Sequence, residues 1–387
     1  MPLNAPLAHP RRATWDVYCR VVDNHGDVGV CWRLAADLAS RGIAVRLWID
    51  DAQALAWMAP EGRAGVEVRP WPVRDEALVT VAAEAATVVV EAFGCGLPEP
   101  CLRRMADAHQ RSAAPLWINL EYLSAEPYVE RNHRLPSLQG SGPARGLTSW
   151  YFYPGVTAGT GGLLREADQM QRQATLGRET WLADHDIAPQ PDERLVSLFC
   201  YANPNLPELL QALAARPTLL LTTPGHATEQ VTQAIADIGP LRGVRIQALP
   251  WLTQVDYDHL LWCCDLNFVR GEDSLVRAIW AGRPFLWQIY PQHDGAHAAK
   301  LAAFLTQASQ AADPPLSEAI RLAAWRWNSL PTATDGDAWG LLNSPSSMSA
   351  WGELCTAWRT ELRAQPDLAT QLMAFADAKN SLPQAKI

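Results

Sequence analysis

Short apolar runs rich in β-branched and aromatic residues recur along this chain, most of them separated by a segment with helical spacing. That alternation restricts the fold to parallel sheets flanked by helices. WDVYCRVV, from Trp15 to Val22, is the first such run; DNHGDVG follows as a turn, VCWRLAADLASRG has helical spacing and stops at Gly42, and IAVRLWID is the next run. GVEVRPW, ATVVVEAF and APLWINLEY continue the series. From Arg131 to Gly162 the pattern gives way to a stretch rich in Gly, Pro, Ser and Thr. A loop that long inside a compact domain is usually functional or lies between domains. A helical stretch is expected near Leu164 to Leu182, and the alternation restarts near residue 190 with RLVSLFCY, PTLLLTTPG, VRIQALPW, CDLNFV and RPFLWQIY. Helical spacing returns over Leu316–Trp327 and Ser347–Ala378.

A length of 387 residues suits two domains, at roughly 150 residues each. The expected division is a first Rossmann-like domain over residues 1–183 and a second over 184–360, with a C-terminal helix over 361–387 packing back on the first. Open parallel sheets bind ligands beyond the carboxyl ends of their strands, so two in series place their binding loops on either side of a shared cleft.

The bulk charge narrows what enters that cleft. With 32 Lys and Arg against 41 Asp and Glu, the net charge is −9, the wrong sign for holding a nucleic acid backbone. The eight cysteines include no C-x-x-C pair, and most sit in apolar runs, as reduced core residues do. No stretch reaches the roughly 20 apolar residues that span a bilayer, and the N-terminal residues lack the apolar core of an export signal. A soluble, cytoplasmic protein is the expectation.

Two loops carry candidate chemistry. In NFVRGEDSLVRAIWAG, the RGED segment joins a strand to a helix stopped by Gly282, which puts Ser274 at the helix N-terminus. Free backbone N–H groups and the positive dipole end gather there, and Arg270 and Ser274 add a cation and a hydroxyl, a set suited to a diphosphate. Glu272 is placed to accept hydrogen bonds from sugar or ribose hydroxyls, and Asp273 either caps the helix or joins that site. The other loop, Asp23 to Gly29, also precedes a helix but lacks G-x-G-x-x-G, and two carboxylates there would repel a pyrophosphate. Asp23 and Asp27 are either a turn former and a helix cap, or a base and anionic cradle for a cationic acceptor. Phe199 and Tyr201 alternate at a strand end, so both can face one side and sandwich a base, or pack in the core. His293, Asp294 and His297 form a histidine-carboxylate grouping that strand-end and capping roles account for, and no metal is assigned.

VVDNHGDVGVCWRLAADLA and CDLNFVRGEDSLVRAIWAGRPFLWQIYPQHDGAHAAKL, with INLEYL and SLFCY between them, resemble the EarP family of protein-arginine rhamnosyltransferases acting on translation elongation factor P. The resemblance implies an α/β GT-B glycosyltransferase fold, two Rossmann-like domains facing across a cleft, with no metal or cofactor. It also implies inverting transfer of L-rhamnose from dTDP-β-L-rhamnose to one arginine side chain of elongation factor P. Carried over by position, Asp27 matches the general base, Asp23 its acidic companion at the acceptor, and Glu272 an essential glutamate. Arg270, Glu272, Asp273 and Ser274 match donor-binding positions, and Phe199, Tyr201, Trp251, Gln254 and Tyr257 match positions around the thymine. His25, Trp251 and His293 stand where another aromatic, a phenylalanine, and an acidic or amide residue are more usual.

A guanidinium with a pKa above ~12 is not deprotonated outright by a carboxylate. Asp23 and Asp27 are therefore expected to orient one nitrogen and accept its proton as the C–N bond forms. Two other readings of the residues stand beside this one: a GT-B transferase with a carbohydrate acceptor, and a catalytically silent nucleotide-binding partner protein.

Overall fold

The computed structural model describes residues 13–22, 25–71, 86–111, 113–291, 295–331 and 336–381. The two alternating halves of the sequence each close into one sheet. The first contains β1 (Thr14–Cys19), β2 (Ala44–Ile49), β3 (Val66–Pro70), β4 (Val88–Ala92), β5 (Leu116–Leu120), β6 (Pro136–Leu138) and β7 (Thr148–Phe152), in the order β3-β2-β1-β4-β5-β7-β6. All neighbours run parallel except β6 against β7. The second sheet, β8 (Arg194–Leu198), β9 (Thr218–Thr222), β10 (Val244–Ala248), β11 (Leu266–Arg270) and β12 (Phe285–Gln288), is wholly parallel in the order β10-β9-β8-β11-β12. Every residue of β1, β4, β8, β9 and β11 is buried, which explains why these strands read as continuous apolar runs.

Both sheets reverse their winding at one place, between β1 and β4 in the first and between β8 and β11 in the second. Loops that follow the strands at such a switch point diverge and leave a crevice. The two chemistry-bearing loops of the sequence follow β1 and β11, so each opens at its sheet's crevice.

Three expectations change. The segment from Arg131 to Gly162 is not wholly irregular: TSWYF is β7, paired parallel to β5 through Trp117–Ser149 to Leu120–Phe152. The expected helix over 164–182 is two short helices, Gln169–Thr175 and Arg178–Asp184, parted by Gly177. The helical stretch of 347–378 is likewise two, Pro345–Arg363 and Leu368–Asn380, because Pro366 lacks an N–H and Asp367 starts a new helix by accepting the Thr370 N–H at 2.9 Å. The split sends the two pieces to different cores. Trp351, Trp358 and Leu362 pack with the second sheet, whereas Leu368, Leu372 and Phe375 pack with the first. Residues 382–387 of the expected terminal helix lie outside the described residues.

The halves are joined by ions as well as by chain. Arg33, on the Gly26–Ser40 helix of the first half, is 4% exposed and reaches into the second. Its Nη2 donates to Asp258 Oδ1 at 2.9 Å and to the Gln254 carbonyl at 3.0 Å, its Nη1 to Glu166 at 3.1 Å, and its Nε lies 3.2 Å from Asp273. Arg277 binds the other oxygen of Glu166 at 2.5 Å and the Leu164 carbonyl at 2.7 Å. Burial raises the Glu166 carboxyl, but Arg277 and Arg33 outweigh it and hold the group down at about 2. Gln254 returns the connection, donating its amide to the Gly29 carbonyl at 3.1 Å. Gly29 eases this approach: a Cβ would stand 3.1 Å from that amide nitrogen and 3.3 Å from an Asp273 oxygen, so both side chains would have to give by a few tenths of an ångström.

Removing one member of a buried ion network strands its partners. Arg33→Ala leaves Asp258, Asp273 and Glu166 short of a counter-charge and is expected to destabilise the protein by about 3–5 kcal/mol in urea unfolding. A midpoint within error of the wild type would remove Arg33 from the interface.

Candidate active site

Between the two sheets lies a cavity of about 340 Å³, within the range of small-ligand sites. The second half lines it with Phe199, Tyr201, Trp251, Gln254, Tyr257, Arg270, Asp273 and Ser274, and the first half with His25, Gly26, Arg33, Trp57 and Met58. Every donor-side residue singled out in the sequence except Glu272 is thus gathered around one space.

How those residues sit differs from several expectations. Phe199 and Tyr201 do not stack on each other or enclose an open slot. They hold the Arg270 guanidinium, whose carbon lies 4.4 Å from one ring centroid and 4.5 Å from the other. Arg270 Nη1 also donates to the Cys200 carbonyl at 3.3 Å. A cation desolvated between two aromatic faces keeps its charge and loses its freedom. Ser274 closes the turn rather than offering its proton to the cavity: it donates to the Arg270 carbonyl and accepts the Arg270 N–H at 3.0 Å. Asp273 does not cap its helix. It is the first residue of the Asp273–Ala281 helix, its carboxylate pairs with Arg33, and burial lifts its pKa above the ordinary value despite Arg33 and Arg277. Gln254, expected near a base, has its amide nitrogen on the Gly29 carbonyl. The Tyr257 hydroxyl is buried, and its ring meets Phe199 edge-on at 5.8 Å.

Trp251 is half exposed at the cavity mouth. Its ring lies 4.5 Å from Trp57, and His25 meets both indoles edge-on at 5.7 and 5.3 Å. This aromatic cluster joins the two halves above the cavity. Most of the other 15 of the 17 tryptophans are core, as their size favours.

Asp27 and Glu272 do not line this cavity; each adjoins residues that do, Gly26 on one side and Gly271 and Asp273 on the other. Asp27 is 3% exposed in the first turn of the Gly26–Ser40 helix. There the positive end of the dipole favours its charge. It is not the N-cap, a position held by His25; instead it accepts the Val22 N–H at 2.8 Å and the Tyr122 hydroxyl at 3.3 Å. Glu272 accepts the Leu123 N–H at 2.8 Å and the Lys300 ammonium at 2.8 Å. Burial raises its pKa against the pull of Lys300, and the negative charge of Asp27 adds to the rise. Asp23 lies outside the described residues, as do His293 and Asp294 of the histidine-carboxylate grouping. Among the described residues no group of three His, Cys, Asp or Glu is arranged to hold a metal ion. All eight cysteines are free and all but Cys95 are buried.

Sequence reasoning missed Arg33, Trp57 and Lys300, and it did not use the loop Thr223–Gly225, which brings the N-terminus of the His226–Ile238 helix to the cavity. That loop had a signal in TLLLTTPGHATE, a strand, a glycine with φ +80° and a helix. Arg33 and Trp57 had none, because each is an ordinary residue of a helix until the second half arrives.

Replacing Ser274 by alanine strands the Arg270 amide in the interior. The expected cost is about 1–3 kcal/mol in denaturant unfolding, and an unaltered midpoint would show that the turn holds without the hydroxyl.

The model of the "Elongation-Factor P (EF-P) rhamnosyltransferase EarP" family matches residues 15–377. A protein-arginine rhamnosyltransferase of Pseudomonas aeruginosa is 43% identical over 386 residues, covering 94% of this chain and 98% of its own. The solved structure of EarP, described as the basis for EarP-mediated arginine glycosylation of translation elongation factor EF-P, aligns with TM-score 0.64 at 30% identity, covering 96% of this chain and all of that one. The Streptomyces glycosyltransferase SsfS6, solved with thymidine diphosphate, aligns with TM-score 0.50 at 12% identity over 95% of this chain and all of its own, a likeness of fold alone. The fold is the GT-B glycosyltransferase fold.

Proposed function

The chain belongs to the EarP family of protein-arginine rhamnosyltransferases, and from that footing we propose that it transfers L-rhamnose from dTDP-β-L-rhamnose to an arginine side chain of translation elongation factor P, inverting the anomeric carbon. The observation that carries this reading is the division of charge along the cleft. Asp27 and Glu272 adjoin residues of the cavity wall, Gly26 and Asp273, and the charge of each bears on the other, while Arg270 and two helix N-termini line the cavity itself. A cationic nucleophile and an anionic leaving group ask for that polarity.

The nucleoside diphosphate occupies the cavity. Arg270, held rigid by Phe199 and Tyr201, faces the diphosphate together with the amides that begin the Asp273–Ala281 and His226–Ile238 helices. Ser274 acts there by shaping the turn that presents those amides. Trp251 and Tyr257 border the base. This arrangement assigns the charge of the departing diphosphate to protein groups and calls for no metal ion.

The acceptor arginine enters at the Asp27 end. Its guanidinium is fully protonated at neutral pH, so its lone pair is delocalised and it is a poor nucleophile. Asp27, with Asp23 as its companion, hydrogen-bonds the guanidinium, localises density on the attacking nitrogen and takes its proton as the C–N bond forms. Glu272 faces the sugar. One displacement from the face opposite the diphosphate inverts the centre and releases dTDP.

Two measurements test the assignment. Arg270→Ala is expected to weaken thymidine diphosphate binding by about 1.5–3 kcal/mol in isothermal titration, the size of a charge-assisted hydrogen bond; equal affinities would place the diphosphate elsewhere. Asp27→Asn is expected to bind dTDP-rhamnose as the wild type does and to lose modification of elongation factor P, read by the mass of the acceptor protein. Near-normal turnover in that variant would refute Asp27 as the proton acceptor, and donor turnover on carbohydrate but not on elongation factor P would refute the acceptor.

A further inference from the structure

The segment that follows β5 touches both carboxylates with consecutive residues. Tyr122 gives its hydroxyl to Asp27 Oδ1 at 3.3 Å, and Leu123 gives its backbone N–H to Glu272 Oε2 at 2.8 Å. Lys300, on the Ala296–Ala308 helix of the second half, completes the circuit: its ammonium is 2.8 Å from Glu272 Oε1 and 5.7 Å from the Tyr122 ring centroid. It is one of only three lysines in the chain, where arginine otherwise supplies the positive charge. The Tyr122 ring also packs on Phe93, stacked at 4.4 Å and 11°. Phe93 itself sits at φ +57°, a conformation that costs a bulky residue energy and persists where the surroundings demand it. Tyr122 remains 38% exposed, so this connection is not core packing.

We propose that Tyr122 and Lys300 are positioning residues, which tie Asp27 of the first domain and Glu272 of the second into one chain of contacts and hold the two carboxylates at a fixed spacing around the reacting centre. The inference rests on the arginine rhamnosyl transfer reading. Tyr122 aims Oδ1 of Asp27 while the Val22 N–H holds Oδ2, and each oxygen keeps lone-pair capacity for the guanidinium. Lys300 pulls the Glu272 pKa down against burial and the Asp27 charge, which together leave it above the ordinary carboxylate value. On the helix that Glu272 precedes, Asp273 and Arg277 are committed to Arg33 and Glu166, so Lys300 supplies the counter-charge.

The sign of the pH effect follows. A carboxylate that works ionised and binds its proton more tightly is lost at a higher pH as the solution is acidified. Lys300→Met is expected to move the acid limb of the kcat profile upward by about one pH unit or more, Lys300→Arg to leave it close to the wild type, and Tyr122→Phe to lower kcat by about tenfold with KM for dTDP-rhamnose unchanged. A carboxyl carbon NMR titration of Glu272, assigned with Glu272→Gln, reads the same shift without turnover. Superimposable profiles for the methionine and arginine variants, a Glu272 titration unmoved by Lys300→Met, or full kcat in Tyr122→Phe would overturn the proposal. Because the titration needs no acceptor, a wild-type protein that transfers no rhamnose would count against the proposed function alone.

Discussion

The Arg33 guanidinium is the point on which the two halves of the molecule meet. It arises from a helix of the first sheet and satisfies Asp258, Asp273 and Glu166, none of which belongs to that helix. Its five N–H donors suit this role, since a planar fork can bind several carboxylates in fixed directions where an ammonium cannot. Desolvating so many charges is costly, and the gain is geometric: the pairing is satisfied in one arrangement of the domains. Asp273 adjoins Glu272 and Ser274, so the lock that sets the domains also sets the loop carrying the donor-side chemistry.

Charge in the cleft is consequently organised in two layers. The inner layer neutralises itself through Arg33, Arg277, Asp258, Asp273 and Glu166. The outer layer is divided, with Asp27 and Glu272 acting on one another, Lys300 paired with Glu272, and Arg270 held between two rings. Asp27 and Arg270 are themselves buried, so these groups act through a lower effective dielectric than at the surface. A transfer between a cationic nitrogen and a diphosphate gains from charges held apart in advance, because they need not reorganise as the bond forms.

The elements themselves were largely legible. The buried strands declared themselves as apolar runs, Gly282 with φ +65° ends the helix it was expected to end, and both candidate loops follow strands at the switch points. β7 was obscured because it lies among Gly and Pro residues and is only five residues long. The break in the C-terminal helical stretch was marked by Pro366, yet a long helix also fits the apolar spacing on either side. Asp273 shows the limit at the site. Its place at the start of a helix was readable, but a carboxylate there can cap, bind a ligand or pair with a distant cation, and the choice depends on what comes near.

Composition, periodicity and the two strand-loop-helix segments by themselves determined a doubly wound pair of sheets and the loops that border their crevices. They did so because hydrophobic spacing and loop chemistry are local properties, written within a few residues. Tertiary structure alone decided that Phe199 and Tyr201 grip Arg270, that Ser274 closes its own turn, and that Tyr122 and Lys300 stand between Asp27 and Glu272. Hydrogen bonds and ion pairs act over a few ångströms, and these partners lie tens to hundreds of residues apart or compete with equally good local ones, so only the packed domains select among them.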